Sequence, residues 1–351
     1  MYEIIIDGRK IGPRHKPYIV AELSANHNGE INRAFKIIEM AKAAGADAIK
    51  LQSYRADTIT LDCDSEEFQI HDGLWRGQTL YDLYKSAQMP WDWHKPLFDK
   101  AKEIGITIFS SPFDVTAVSL LEELNTPAYK IASFELVDLP LIKRVAQTGK
   151  PMILSTGMAN QFEIQEAIDI ARDNGCSELV VLHCVNGYPT PADQYNLKTI
   201  SDISDRFGVL AGLSDHTVDT ATAVASVVLG GCLVEKHVTL DRDGGGPDDS
   251  FSLEPHQFKK LCHDVKTAWQ ALGNINYEIA EAEKNNVQFR RSLYFVKSGK
   301  AGDQITEDLV KSIRPGFGLA PKHLTKVLGK VLLKDVTAGQ AVDPSSVDID
   351  Y

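Results

Sequence analysis

Two histidines occupy equivalent places in the chain. Gly212-Leu-Ser-Asp-His-Thr217 and, some twenty residues on, Val234-Glu-Lys-His-Val238 each turn a short apolar run (Val209–Leu213, Cys232–Val234) into polar and ionisable side chains. A strand that spends its length on Val and Leu and then delivers Ser-Asp-His or Glu-Lys-His is building a site at its carboxyl end. A lone histidine there more often satisfies a buried carbonyl. Two neutral imidazoles, His216 and His237, on neighbouring strand ends can face one divalent cation of the manganese, cobalt or magnesium kind, with positions left for water and substrate oxygens. Ligand type alone leaves zinc open as well. Two lysines lie inside apolar runs, Ile49-Lys50-Leu51 and Tyr129-Lys130-Ile131, and an inward ammonium there needs an anion. With the hydroxyls of Ser111, Ser133, Ser155 and Ser214 they supply what a phosphate and a carboxylate require, cationic point charges plus compact donors. Glu22 and Glu135 are candidates for proton transfer or for holding sugar hydroxyls.

These groups need a scaffold that brings many strand ends together. Apolar, β-rich runs recur eight times, at Tyr18–Ala21, Ala48–Leu51, Ile106–Phe109, Ala128–Ile131, Met152–Leu154, Leu179–Leu182, Val209–Leu213 and Cys232–Val234. Helical patterns separate most of them. Ile31–Ala44 has helical spacing and ends at Gly45, Asp114 can cap Val115–Leu124, and Asn160 with Glu163 resembles a capping box for a helix closed by Gly175. Pro255 suits the first turn of a helix through Leu272, followed by Gly273. Eight strand-plus-helix units predict a closed (β/α)8 (TIM) barrel. An open doubly wound sheet is the rival, but no G-x-G-x-x-G follows the first strand.

In such a barrel the carboxyl ends of the strands carry the chemistry. They offer Glu22; Lys50 and Gln52; Ser110 and Ser111; Lys130, Ser133 and Glu135; Ser155; His183, Cys184, Asn186 and Tyr188; Ser214, Asp215 and His216; and Glu235, Lys236 and His237. One polar ending is noise; eight in a row are hard to attribute to packing. The Gly-rich tract Asp241–Asp249 brings Asp248 to the mouth. The long segment Asp57–Trp93, with Trp75, Tyr81, Tyr84, Trp91 and Trp93, is expected to fold over the mouth as a lid or partner surface, or to pack as an aromatic insert.

Net charge of −11 over 351 residues argues against nucleic acid or an anionic membrane as a general partner. An anionic substrate must then be held by locally placed cations. Five scattered cysteines without C-x-x-C spacing fit reduced thiols in the cytoplasm. The N-terminus lacks the basic start and apolar run of a signal peptide, and no apolar window is long enough to span a membrane. No Walker A, G-x-S-x-G or H-E-x-x-H motif occurs. Tyr2–Ile6 and Lys10–Ile11 flank Asp7-Gly8, a hairpin signal. The expected organisation is a hairpin and barrel over 1–273, a charged, amide-rich linking helix over 274–289, and a small module of short strands over 290–351. In that module Ala301-Gly-Asp-Gln-Ile305 recurs loosely as Ala338-Gly-Gln-Ala-Val342. A module of this size is marginal alone.

Ala21-Glu-Leu-Ser-Ala-Asn-His-Asn-Gly29, Lys50-Leu-Gln52, Phe109-Ser-Ser-Pro-Phe-Asp114, Tyr129-Lys-Ile-Ala-Ser-Phe-Glu135, Leu154-Ser-Thr-Gly-Met158, Leu182-His-Cys-Val-Asn186, Tyr188-Pro-Thr-Pro191, Leu213-Ser-Asp-His216 and Glu235-Lys-His237 resemble the sialic acid synthase family over essentially the whole chain. The tail, with Arg314-Pro-Gly316, is similar to that family's antifreeze-like (SAF) domain. The resemblance implies condensation of phosphoenolpyruvate with an N-acylated amino sugar to a nine-carbon acid and phosphate, by C–O cleavage. It implies that Lys50, Lys130, Ser133, Ser155, Asn186 and Ser214 hold phosphoenolpyruvate and that His216 and His237 bind the metal, manganese first and magnesium or cobalt as alternatives. It makes Glu22 the essential acidic residue, with Gln52, Tyr188 and Asp248 near the sugar. It also implies a homodimer with exchanged C-terminal domains, in which Arg314 completes the partner's site. The residues themselves read Arg314 as a turn residue before Pro315. Within the family, Gly73-Leu-Trp-Arg-Gly77, Leu80-Tyr-Asp-Leu-Tyr84, Pro90-Trp-Asp-Trp93 and Gly246–Pro255 resemble the branch whose sugar is 2,4-diacetamido-2,4,6-trideoxy-L-altrose. The N-acetylneuraminate branch usually has His where this chain has Asp249.

Overall fold

Alternation of inward and outward side chains along eight short parallel strands builds the first part of the molecule. The computed structural model describes residues 3–349, so Tyr2, the first residue of the expected hairpin, lies outside them. The chain divides into two compact units, through Gly273 and from Asn274 onward. The first begins with an antiparallel hairpin, β1 (Ile4–Ile6) and β2 (Arg9–Ile11), in which Ile6 faces Arg9. The barrel strands are β3 (Tyr18–Glu22), β4 (Ala48–Ser53), β5 (Thr107–Pro112), β6 (Tyr129–Ile131), β7 (Met152–Ser155), β8 (Leu179–Cys184), β9 (Leu210–Asp215) and β10 (Leu233–His237). They pair in sequence order, and β10 closes on β3.

Most strands run past the apolar stretches that mark them in the sequence. β4 continues to Ser53, β5 to Pro112, β9 to Asp215 and β10 to His237. The ladder of backbone hydrogen bonds closes around the barrel irrespective of side-chain polarity. The polar residues therefore mark where the strands reach the mouth, not where they end.

Helices cover the outside, each with a local reason to start. Asp114 Oδ1 accepts from Thr116 N at 2.6 Å and Ala117 N at 3.2 Å, opening Val115–Glu123. Asn160 and Glu163 form a reciprocal capping box on Gln161–Asp173, which stops two residues short of Gly175. Pro255 opens the helix ending at Leu272. Two cores result. Outward residues such as Ile19, Ile49, Leu51, Tyr129 and Leu213 pack under the helices. Inward Tyr18, Val20, Phe109, Ile153, Val180, Leu182 and Leu233 fill the barrel together with Ile4, Ile6 and Ile11 of the hairpin. Those three isoleucines are fully buried, each burial contributing about 1.5–3 kcal/mol. Gly212 belongs to this inner packing: a Cβ there would come within 2.3 Å of Leu233 O and 2.7 Å of Leu182 Cδ2.

The insert between β4 and the helix His94–Ile104 holds short helices at Ala56–Ile59 and Leu80–Ala87, with 3-10 turns at Glu66–Phe68 and Trp91–Trp93. In the second unit the expected linking helix is of 3-10 form and spans Glu281–Phe289. β11 (Ser292–Phe295) pairs antiparallel with β12 (Val310–Ile313). The loose sequence repeat is a repeat of structure: Gly302 and Gly339 adopt φ +91° and +89°, and the Ile305 and Val342 that follow enter the same core. All five cysteines are free. Among the described residues no helix is long and apolar enough to cross a membrane.

Candidate active site

Period-two alternation decides which strand-end groups meet. Counting along β3, β4, β6, β9 and β10 from inward Val20, Ala48, Ala128, Leu210 and Leu233 places Glu22, Lys50, Lys130, Ser214, Glu235 and His237 on the inner face. Register supports this, since Glu22 faces Lys50 and His237 across its two neighbouring strands and Glu235 faces Ser214. Lys50 Nζ lies 2.8 Å from Glu22 Oε2, and Glu235 Oε1 lies 3.7 Å from both Lys50 Nζ and Lys130 Nζ. Ser214 Oγ donates to Glu235 Oε1 at 3.1 Å, and Lys50 Nζ donates to Ser111 Oγ at 3.3 Å. Gln52 Nε2 donates to Glu22 Oε1 at 2.9 Å and to Ser24 Oγ at 3.0 Å. Ser24 in turn donates to Asp248. No member of the Glu22, Lys50, Lys130, Glu235 quartet is more than 4% exposed.

Burial and charge separate the two glutamates. Burial raises the Glu22 carboxyl above its ordinary range, only partly offset by Lys50. Burial would raise Glu235 too, but the ammonium groups of Lys130 and Lys50 overcome it and hold that carboxyl below its usual value. Burial depresses Lys130, with Glu235 opposing. For Lys50 burial is likewise the largest influence, yet Glu22 and Glu235 together shift it upward. The two environments push the carboxyls apart, Glu235 down and Glu22 up, the separation that acid/base chemistry needs.

His216 and His237 stand side by side, ring centroids 5.3 Å apart. Both are pulled down by burial, His216 to about 4 and His237 well below its ordinary value, so both are neutral at physiological pH. His216 Nδ1 donates to Val185 O at 2.9 Å, leaving the Nε2 lone pair free. His237 Nδ1 is buried with no hydrogen-bond partner and lies 3.9 Å from Asp248 Oδ2. Among the described residues no group of three or more His, Cys, Asp or Glu side chains is arranged to hold a metal. Two adjacent neutral imidazoles, one with its tautomer set by a carbonyl, fit a borderline divalent ion that draws its other ligands from water and substrate.

The remaining candidates line the same mouth. Ser133 and Asn186 are hydrogen-bonded to each other, and the Ser155 hydroxyl is buried without a partner. Tyr188 packs against His216 at 4.5 Å, Phe251 at 5.2 Å and Trp75 at 5.9 Å between centroids. Trp75 Nε1 donates to Pro247 O at 3.1 Å, so the long insert reaches the Gly-rich tract. Arg314 is exposed and belongs to the second unit, directly after β12.

Asp249 is not a mouth residue. Its carboxylate, 1% exposed, accepts from Asn28 Nδ2 at 2.8 Å, Gly246 N at 2.9 Å, Arg33 Nη2 at 3.3 Å and the Thr239 hydroxyl. It staples the tract that carries Asp248, so any influence of this position on the mouth passes through loop shape. Asp249→Ala is expected to cost about 2–4 kcal/mol, because it strands several buried donors, measured by denaturant unfolding.

Burial pushes Glu135 up to about 7, and its Oε2 is buried without a hydrogen-bond partner. Such a group binds its proton more tightly in the folded than in the unfolded chain, so folding stability falls as pH rises from about 4.5 to 7. Glu135→Gln removes that dependence. The variant is expected to gain on the wild type through this window and to lead by about 1–3 kcal/mol above pH 7, read from paired thermal or denaturant melts.

Glu235, which contacts both lysines, was visible at its strand end without an assigned role. Counting back two from His237 would have placed it inside. Ser24 and Phe251, in loops, carried no periodic signal.

Fold and site together define a (β/α)8 barrel protein with a buried, charge-paired mouth and a two-histidine corner. The chain belongs to the NeuB family, whose profile matches residues 37–277; a SAF domain profile matches 290–348. It is 42% identical over 327 residues to the pseudaminic acid synthase of Campylobacter jejuni, covering 93% of this chain and 95% of that one. It is 39% identical over 336 residues to the pseudaminic acid synthase of Helicobacter pylori, covering 95% and 98%. Among solved structures, N-acetylneuraminic acid synthetase from Leptospira borgpetersenii, in complex with citrate, superposes with a TM-score of 0.73 at 29% identity, covering 82% of this chain and 96% of that one.

Proposed function

We propose that this chain is a pseudaminic acid synthase, condensing phosphoenolpyruvate with 2,4-diacetamido-2,4,6-trideoxy-L-altrose to give pseudaminic acid and phosphate. The observation that carries the chemistry is the pair of buried lysines flanking Glu235 beside two neutral histidines. The identity to pseudaminic acid synthases over nearly the whole chain supports the sugar. Lys50 and Lys130, with the hydroxyls of Ser133, Ser155 and Ser214 and the amide of Asn186, hold the phosphate and carboxylate of phosphoenolpyruvate. Gln52, Tyr188 and Asp248 orient the open-chain sugar so that its aldehyde carbon faces carbon 3 of the enol. The new C–C bond forms there and the aldehyde oxygen takes up a proton. Water adds to carbon 2, and the C–O bond to phosphate breaks to leave the ketone. Glu22, its carboxyl pushed up by burial and hydrogen-bonded by Gln52, delivers or removes the proton. A divalent cation held by His216 and His237, manganese in the first instance, would supply Lewis-acid polarisation of the aldehyde oxygen.

The same reading makes the protein a cytoplasmic homodimer with exchanged C-terminal domains, Arg314 reaching the partner's mouth. The test is phosphate release from phosphoenolpyruvate with a panel of sugars, before and after chelation. Release with the altrose derivative alone, lost on chelation and restored by Mn2+, is expected. Preference for N-acetylmannosamine or the legionaminic acid precursor overturns the sugar assignment, and chelator-resistant turnover overturns the metal.

A further inference from the structure

We propose that Lys236 and Asp215, which lie outside the mouth, form a positioning clamp that sets the spacing of the two histidines; the inference rests on the metal reading above. The two residues are direct partners in the β9–β10 register, and each immediately precedes one of the histidines. Alternation turns them away from the barrel interior, into the layer beneath the helices. There Lys236 Nζ donates to Asp215 Oδ2 at 2.8 Å, Asp219 O at 3.0 Å and Thr217 Oγ1 at 3.2 Å, and to Thr217 O. Asp215 in turn accepts from Thr217 N at 2.9 Å and from Thr222 Oγ1 at 2.8 Å. Both charged residues are 1% exposed.

The segment that leaves His216, from Thr217 to the start of the helix Ala221–Val228, is therefore wound around an ammonium that belongs to the strand carrying His237. One ion pair fixes both the lateral register of the two strand tips and the path of the chain leaving one imidazole. Burial holds the ammonium in this one geometry, where a surface lysine would be solvated and mobile. Neither residue touches the mouth. Their effect must pass through the imidazoles they flank, as outer partners of metal ligands do.

The experiment titrates metal-stripped, full-length protein with Mn2+ alone and reads Kd by calorimetry, beside kcat at saturating Mn2+. Lys236→Met is expected to raise the Mn2+ Kd about 10–100-fold, with kcat recovering to within a few-fold of wild type once metal is saturating. A purely structural role would lower the melting temperature and leave Kd alone; a folded variant with wild-type Kd overturns the clamp. Where Lys236→Met does not fold, Thr222→Val removes one donor to Asp215 and is expected to raise Kd several-fold; an unchanged Kd is again fatal. His216→Ala and His237→Ala separate the two readings. Should they bind Mn2+ as the wild type does, the histidine site itself is wrong, whatever Lys236→Met shows.

Discussion

Glu22→Gln is expected to lower kcat by about 10²–10⁴-fold while moving the KM for phosphoenolpyruvate only a few-fold. The amide keeps the shape and the hydrogen bond with Gln52, but it can neither give up nor accept a proton. Lys50 loses a partner at 2.8 Å yet keeps Glu235, so anion binding survives. The check is steady-state phosphate release together with phosphoenolpyruvate binding by calorimetry. Near-full turnover would remove Glu22 from proton transfer and leave it a counter-ion.

Lys130→Met is expected to act on different quantities. It deletes a buried ammonium facing Glu235 at 3.7 Å, and breaking one side of a buried pair costs about 3–5 kcal/mol. The KM for phosphoenolpyruvate should rise at least about 100-fold, since a charge-assisted contact to an anion is lost in a desolvated pocket and 100-fold corresponds to about 2.7 kcal/mol. Lys130→Met leaves Glu235 with Lys50 as its remaining ammonium partner, so adding Glu235→Gln removes an under-compensated buried carboxylate, and the double variant should regain part of the stability and none of the activity. Denaturant melts and phosphate release on the single and double variants decide this. A double variant as unstable as the single one would show that Lys130 matters through its packing rather than its charge.

The barrel was legible because closure imposes two simple periods, two along strands and 3.6 along helices, with punctuation at Asp114, Asn160 and Pro255. The apolar runs stop short of the strand ends because in a barrel polarity marks the mouth, and the ladder carries on through it. The convergence of Glu22, Lys50, Lys130, His216 and His237 could be anticipated from position alone. What position could not supply was pairing. That Glu235 bridges both lysines, that Asp249 is stapled to Asn28 and Arg33, and that Lys236 closes on Asp215 all depend on three-dimensional neighbours from other parts of the chain. Charge and amide content are compatible with a linking helix without fixing its form, which over Glu281–Phe289 is 3-10.

The hairpin at the amino end has its own consequence. With Ile4, Ile6 and Ile11 driven into the inner core beside Tyr18 and Leu233, the tube is corked at one end and open at the other. That leaves the carboxyl ends of the strands as the working face of the barrel, and there Trp75 grips the Gly-rich strap at Pro247.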